Sequence, residues 1–221
     1  MKGRFSPKGP LASRLVCADC GAFFGAKTWH SSDPYKSVIW RCNDKYKPGI
    51  ERQSGGTKCN TGHMTEEKVI AAFSKIVADL IAQRPQVLKA CNEILRSLLD
   101  TSALDDKRKR AERERDTITG QIQALVERQA RETVEAFSEK YQELEKKYRR
   151  AEERLKAVDT ERRDREYRLK QAELFVATVK KLPEDEQLES TELFMALVDK
   201  VIVGEGLTFV LRDGSTRGVR L

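Results

Sequence analysis

The spacing of apolar positions changes repeatedly along this chain, and each change predicts a different kind of element. Between residues 13 and 60 the apolar residues come in short bursts, Leu15-Val16, Phe23-Phe24 and Val38-Ile39-Trp40. Gly, Ser, Asp and Pro separate them, which predicts short strands joined by loops. Lys47-Pro48-Gly49 and Ser54-Gly55-Gly56 are turn signals. At Thr65 the spacing becomes helical. Thr65 is a fitting N-cap, Glu66-Glu67 suit the helix dipole, and Val69, Ile70, Phe73, Ile76, Val77 and Leu80 share a face. Pro85 ends or kinks this helix and opens the next, whose apolar face runs through Val87, Leu88, Cys91, Ile94, Leu95, Leu98 and Leu99.

From Leu104 to about Leu125 the chain is helical and highly charged, with Ala111, Ile118, Ile122 and Leu125 at helical spacing. A polar patch at Gln129–Glu135 follows. Then Phe137, Tyr141, Leu144, Tyr148, Ala151, Leu155, Val158, Leu169, Ala172, Val176 and Val179 hold alternating gaps of four and three, broken by Arg162 and Arg165. This is a heptad seam. A helix over 137–182 is roughly 70 Å long. It has too little core to stand alone, and the preceding helix, folded back near residues 129–136, is the simplest partner. Pro183 stops it. Thr191–Lys200 predicts a short helix burying Leu193, Phe194, Leu197 and Val198, and 201–211 a β-hairpin about Gly204-Glu205-Gly206.

Composition sharpens this pattern. Of 221 residues, 39% are hydrophobic and 35% charged, which suits long helices with narrow seams. The first 63 residues hold 11 Lys+Arg against 4 Asp+Glu, while the remainder holds 31 of each. The net charge of +7 thus belongs to the strand-rich N-terminal part, the footprint expected of a nucleic-acid-binding head on a neutral helical body. The N-terminus shows no signal peptide, and no stretch approaches the roughly 20 apolar residues that span a bilayer. A cytoplasmic location and no membrane partner are expected.

The cysteines lie in the same basic part. Cys17 and Cys20 form a CxxC, Cys42 follows after 21 residues and Cys59 after a further 16. Four thiols at this spacing suit a tetrahedral Zn²⁺ site, which stabilises a module too small for a core of its own. Gly21 lets the turn pass close to the metal. The second pair is not a compact CxxC, so four ordinary thiols and a redox pair are the alternatives, and His63 is an alternative ligand. Cys91, beside Leu88 and Leu95, reads as a buried structural thiol.

These residues carry a resemblance. Residues 10–21, Tyr35 to Arg41-Cys42, Lys58-Cys59-Asn60-Thr61-Gly62-His63 and the helix opening at Glu66-Glu67 together resemble the zinc β-ribbon domain of large serine recombinases. Residues 197–203 resemble the return of the chain to that domain after an inserted coiled-coil arm. The resemblance implies an α+β fold: a small zinc β-ribbon, a long inserted antiparallel coiled-coil arm, and a C-terminal β-hairpin returning to the ribbon. The expected parts are a basic linker (1–12), zinc ribbon (13–64), connecting helices (65–103), arm (104–182, tip about 129–137) and completing helix and hairpin (183–221).

The resemblance also implies function. The zinc module is expected to approach the major groove of attachment-site or element-end duplex DNA. Arg14, Lys27, Trp29, His30, Lys36, Arg41, Lys45 and Lys58 are the candidate DNA contacts, a basic set interleaved with aromatic residues. Trp40 reads as core. The arm is expected to contact other recombinase subunits through Val134 and Phe137 at its tip and so to govern synapsis. The family's catalytic serine domain is not in this sequence, so a fragment, truncated gene or separate subunit with no catalysis of its own is expected. A stand-alone zinc-ribbon DNA-binding adaptor or regulator is the alternative, and a structural coiled-coil protein with a zinc knuckle is a third.

Overall fold

The computed structural model describes residues 9–29, 32, 34, 37–56, 58–129, 133–183 and 191–220. It is mixed α and β, in two compact units: Met1–Ile94 with Gln171–Leu221, and Leu95–Lys170.

The first unit begins with β1 (Leu15–Cys17), β2 (Phe24–Trp29) and β3 (Ser37–Cys42), followed by α1 (Glu66–Ala82) and the start of α2 (Arg84–Leu99). Thr65 caps α1 in an extended conformation, its side chain accepting from the Lys68 N–H at 3.4 Å. The break before α2 falls at Gln83, and Pro85 is the second residue of the new helix, where its missing N–H costs nothing. The chain returns through the end of a long helix, α4 (Val134–Lys181), then α5 (Thr191–Leu197), β4 (Val198–Val203), β5 (Gly206–Leu211) and β6 (Thr216–Arg220).

The strands form two sheets. β2 and β3 are an antiparallel ribbon, with Phe24 opposite Cys42 and Trp29 opposite Ser37. β1 belongs to the other sheet, of order β1-β4-β5-β6, and runs parallel to β4 with Leu15 opposite Val201 and Cys17 opposite Val203. Strand alternation puts Leu207, Phe209 and Leu211 inside. Phe73 of α1 meets Phe194 edge-on at 5.0 Å and Phe209 at 6.3 Å, so α1 and α5 close over this sheet. Gly206 is required by the close approach of β6, because a Cβ there would meet the Val219 carbonyl oxygen at 2.7 Å.

The second unit is built on α3 (Ser102–Arg128) and the first part of α4. The buried residues of α3 are Leu104, Ala111, Ile118 and Leu125, one per heptad. Opposite charges join the helices: Asp105 to Arg162 (3.3 Å), Lys107 to Glu161 (4.0 Å), Arg108 to Asp159 (3.0 Å) and Glu114 to Arg154 (2.6 Å). As numbers rise on α3 they fall on α4, so the two run in opposite directions.

The two arginines that interrupt the heptad seam have defined partners. Arg162 pairs with Asp105, and Arg165 donates from Nε to the Leu98 carbonyl at 2.9 Å and from its other end to that of Ser97. Those carbonyls close the last turn of α2, where a helix leaves its acceptors unsatisfied and a cation is favoured.

Candidate metal centre

Three separate pieces of chain bring the cysteines together. Cys17 ends β1, Cys42 ends β3, and Cys59 closes the loop after β3. The CxxC turn folds on itself through Gly21 N–H to Cys17 carbonyl and Cys17 N–H to Ala22 carbonyl, both 2.9 Å. Gly21 has φ +72°, a left-handed conformation that favours glycine. All four sulfurs lie within 4.8 Å of one another, with Cys20 to Cys42 at 3.5 Å and Cys42 to Cys59 at 3.9 Å. A tetrahedron with Zn–S near 2.3 Å has sulfurs about 3.8 Å apart, so the set fits zinc. Cys17, Cys42 and Cys59 are buried and Cys20 is half-buried. These cysteines are positioned to bind a zinc ion, which would tie three chain segments in a closed four-thiolate site.

Electrostatics without metal show what the ion must overcome. Burial pushes the Cys42 thiol far up, helped by its crowding against Cys20, and lifts Cys59 to about 11. Cys17 goes the other way. Burial raises it, but bonds from Thr61 and the backbone of Cys20 and Asp19 outweigh that and lower it. Thr61 is itself buried, its hydroxyl 3.1 Å from the Cys17 sulfur.

Asp19, inside the CxxC turn, braces the site. Its carboxylate accepts from Ser54 N–H at 2.7 Å, Ser54 hydroxyl at 3.0 Å and Asn60 N–H at 3.4 Å. These bonds, the Ser54 N–H first, hold its pKa below the usual carboxylate value. The sequence reasoning passed over Asp19 and Thr61. No local signal marks Asp19, because its partners Ser54 and Asn60 lie 35 and 41 positions away along the chain.

The candidate DNA contacts fall into distinct settings. Lys27 and Trp29 on β2 alternate onto the same ribbon face as Ile39 and Arg41 on β3. Lys27, Trp29 and Lys58 are exposed, and the Arg41 guanidinium sits 5.3 Å over the Tyr46 ring. Arg14 instead donates to the Val198 and Asp199 carbonyls at 2.8 and 3.0 Å, where the β4–β5 register shifts. Lys45 donates to the Thr61 carbonyl at 2.7 Å. His30 and Lys36 lie outside the described residues.

Of the other named residues, His63 lies edge-on to Trp29 at 4.8 Å, and the four sulfurs form the cluster among the described residues. Trp40 is buried. Cys91 is buried, with its sulfur 3.6 Å from the Asp213 carboxylate; burial and then that charge push its thiol to about 12. Val134 is exposed at the start of α4, and Phe137 stacks on Tyr141 at 5.9 Å. No helix among the described residues is long and apolar enough to cross a membrane.

Neither a curated protein nor a solved structure matches the chain significantly. The stretch that holds all four thiols is nonetheless assigned: residues 10–77 match the family model of the recombinase zinc beta ribbon domain.

Proposed function

We propose that this chain is the DNA-binding and subunit-contact region of a serine site-specific recombinase. The observation that carries the reading is the four-thiol centre within the stretch that matches the recombinase zinc ribbon. The charge distribution supports it, because the excess of Lys and Arg is confined to the residues around that centre. In this reading the zinc ribbon recognises attachment-site or element-end DNA, with Lys27, Trp29, Arg41 and Lys58 toward the duplex. Arg14 and Lys45, already bonded to carbonyls, shape the module that presents them.

The opposed helices α3 and α4 act as an antiparallel coiled-coil arm. Its tip, with Val134 and Phe137, meets the arms of other recombinase subunits and governs which sites synapse. The chain's own part is binding, not cleavage. A closed four-thiolate site has no open coordination position for chemistry.

Binding of the zinc-loaded chain to element-end and scrambled duplexes across a salt series tests the reading. Affinity is expected to favour element ends and to fall steeply with salt. The triple substitution K27A/R41A/K58A should flatten the log–log slope by about 0.9 for each phosphate that its side chains no longer neutralise. Weak, sequence-blind binding, or an unchanged slope in the triple variant, would refute it.

A further inference from the structure

The major groove of B-DNA admits a two-stranded β-ribbon, whose base-reading side chains must then stand on one face. β2 and β3 have such a face. Cys42 carries its sulfur into the thiol cluster, so strand alternation turns its neighbours Arg41 and Asn43 to the opposite side. The Asn43 N–H donates to the Phe23 carbonyl at 3.1 Å, which continues the ladder one residue beyond β3. Lys27 and Trp29 stand on the same face as Arg41.

Gly25, directly opposite Arg41, makes room there. A glycine inside a strand weakens it and often marks a close approach. Here the group that approaches is the Asn43 carboxamide. A Cβ at Gly25 would overlap its Oδ1 and meet Cγ and Nδ2 at 3.2 and 3.3 Å. The backbone at Gly25 has no positive φ, so contact rather than conformation calls for glycine. The missing side chain is a cradle that lays the carboxamide over the ribbon. Asn43 stays exposed, and no hydrogen bond to a described residue engages its carboxamide. Near it, the Arg41 guanidinium is steadied over the Tyr46 ring. Arginine matches the O6 and N7 edge of guanine, and asparagine the N6 and N7 edge of adenine.

We infer that Asn43, cradled by Gly25, is a specificity-determining residue that reads an adenine near a guanine read by Arg41. This rests on the DNA-binding reading and names the bases that the ribbon would select. Residues two apart on a strand are about 6.7 Å apart and base pairs rise about 3.4 Å, so the two bases lie about two steps apart.

Selection by the zinc-loaded full-length chain from duplexes with a randomised central segment tests it. Wild type is expected to enrich a motif with guanine and adenine at that spacing. N43A and G25A should both lose the adenine preference, about 5- to 150-fold in affinity over other bases, and keep the guanine. R41A should do the reverse. A purely structural role would weaken binding to every sequence and leave the enriched motif unchanged. N43A alters an exposed side chain, so it decides the matter alone if G25A does not load zinc. A wild-type motif without that adenine, or an adenine preference that survives in N43A, would overturn the proposal and leave the DNA-binding reading standing. Absence of any enriched motif would overturn both.

Discussion

At the scale of single residues, the metal-free centre and the metal-bound centre have opposite pH preferences. Cys42 is shifted well up and Cys59 to about 11, in both cases chiefly by burial, so both are protonated at neutral pH. In the metal-free fold a raised thiol pKa stabilises below the unfolded value of about 8.5, and that stability is lost as pH rises through the folded value. Zinc binding instead expels these protons, so its affinity must rise with pH. Zinc titrations between about pH 6 and pH 8 should show affinity increasing with pH and protons released into the buffer. An affinity flat across that interval would mean that the buried thiols are not the ligands. The four ligands were legible in the sequence because a CxxC with two more cysteines is a pattern in residue type. The residues that hold them were less legible. Asp19 is identified by bonds to Ser54 and Asn60, far from it along the chain, and such partners have no fixed spacing.

At the scale of elements, periodicity was informative wherever burial is one-sided. The cap at Thr65, the break before Pro85 and the seam of α4 all follow from spacing, and the helix bounds differ by only a few residues. β6 was missed, because Thr216–Arg220 has half-buried and exposed positions and no apolar burst. Arg162 and Arg165 look like defects in the seam when only α4 is considered. Their partners, Asp105 and the last carbonyls of α2, lie on other helices, where no spacing along α4 could locate them. This gives a prediction opposite to that from the heptad pattern. Arg165→Leu restores an apolar seam position, yet it strands the Ser97 and Leu98 carbonyls and removes a cation from a helix C-terminus. It should therefore destabilise the chain, by about 1–3 kcal/mol for the missing charged hydrogen bonds. Urea unfolding followed by helical circular dichroism measures this. A more stable variant would show that apolar packing at this position outweighs the cap.

At the scale of the molecule, strands far apart in the sequence belong to one sheet. β1 forms its parallel pairing with β4, and this is flanked by backbone bonds from Val201 N–H to the Arg14 carbonyl and from Ala18 N–H to the Val203 carbonyl, at 2.8 and 2.9 Å. β4 and β5 pair antiparallel, and β4 lies beside β1, the strand that leads into the CxxC turn, whereas the β2–β3 ribbon is a sheet of its own. Strand pairing across such a separation leaves no local sequence signature, so neither the parallel register nor the split into two sheets could be read from the chain. The consequence for stability is testable by removing residues 191–221. All four cysteines and the whole stretch matching the zinc ribbon remain, but Leu15 and the α1 residues Val69, Phe73, Ile76, Val77 and Leu80 are deprived of a core that includes Phe194, Leu197, Leu207, Phe209 and Leu211. Each such side chain contributes about 1.5–3 kcal/mol when buried, so the five removed are worth about as much as the roughly 5–15 kcal/mol that holds a domain folded. The shortened chain should therefore lose its cooperative thermal transition and its dispersed methyl resonances from α1. The β2–β3 ribbon should still take up zinc, because Cys20, Cys42 and Cys59 are outside the deleted sheet and only Cys17 ends a strand of it. A shortened chain with an unchanged melting transition would show that the zinc ribbon and α1 fold without the returning strands.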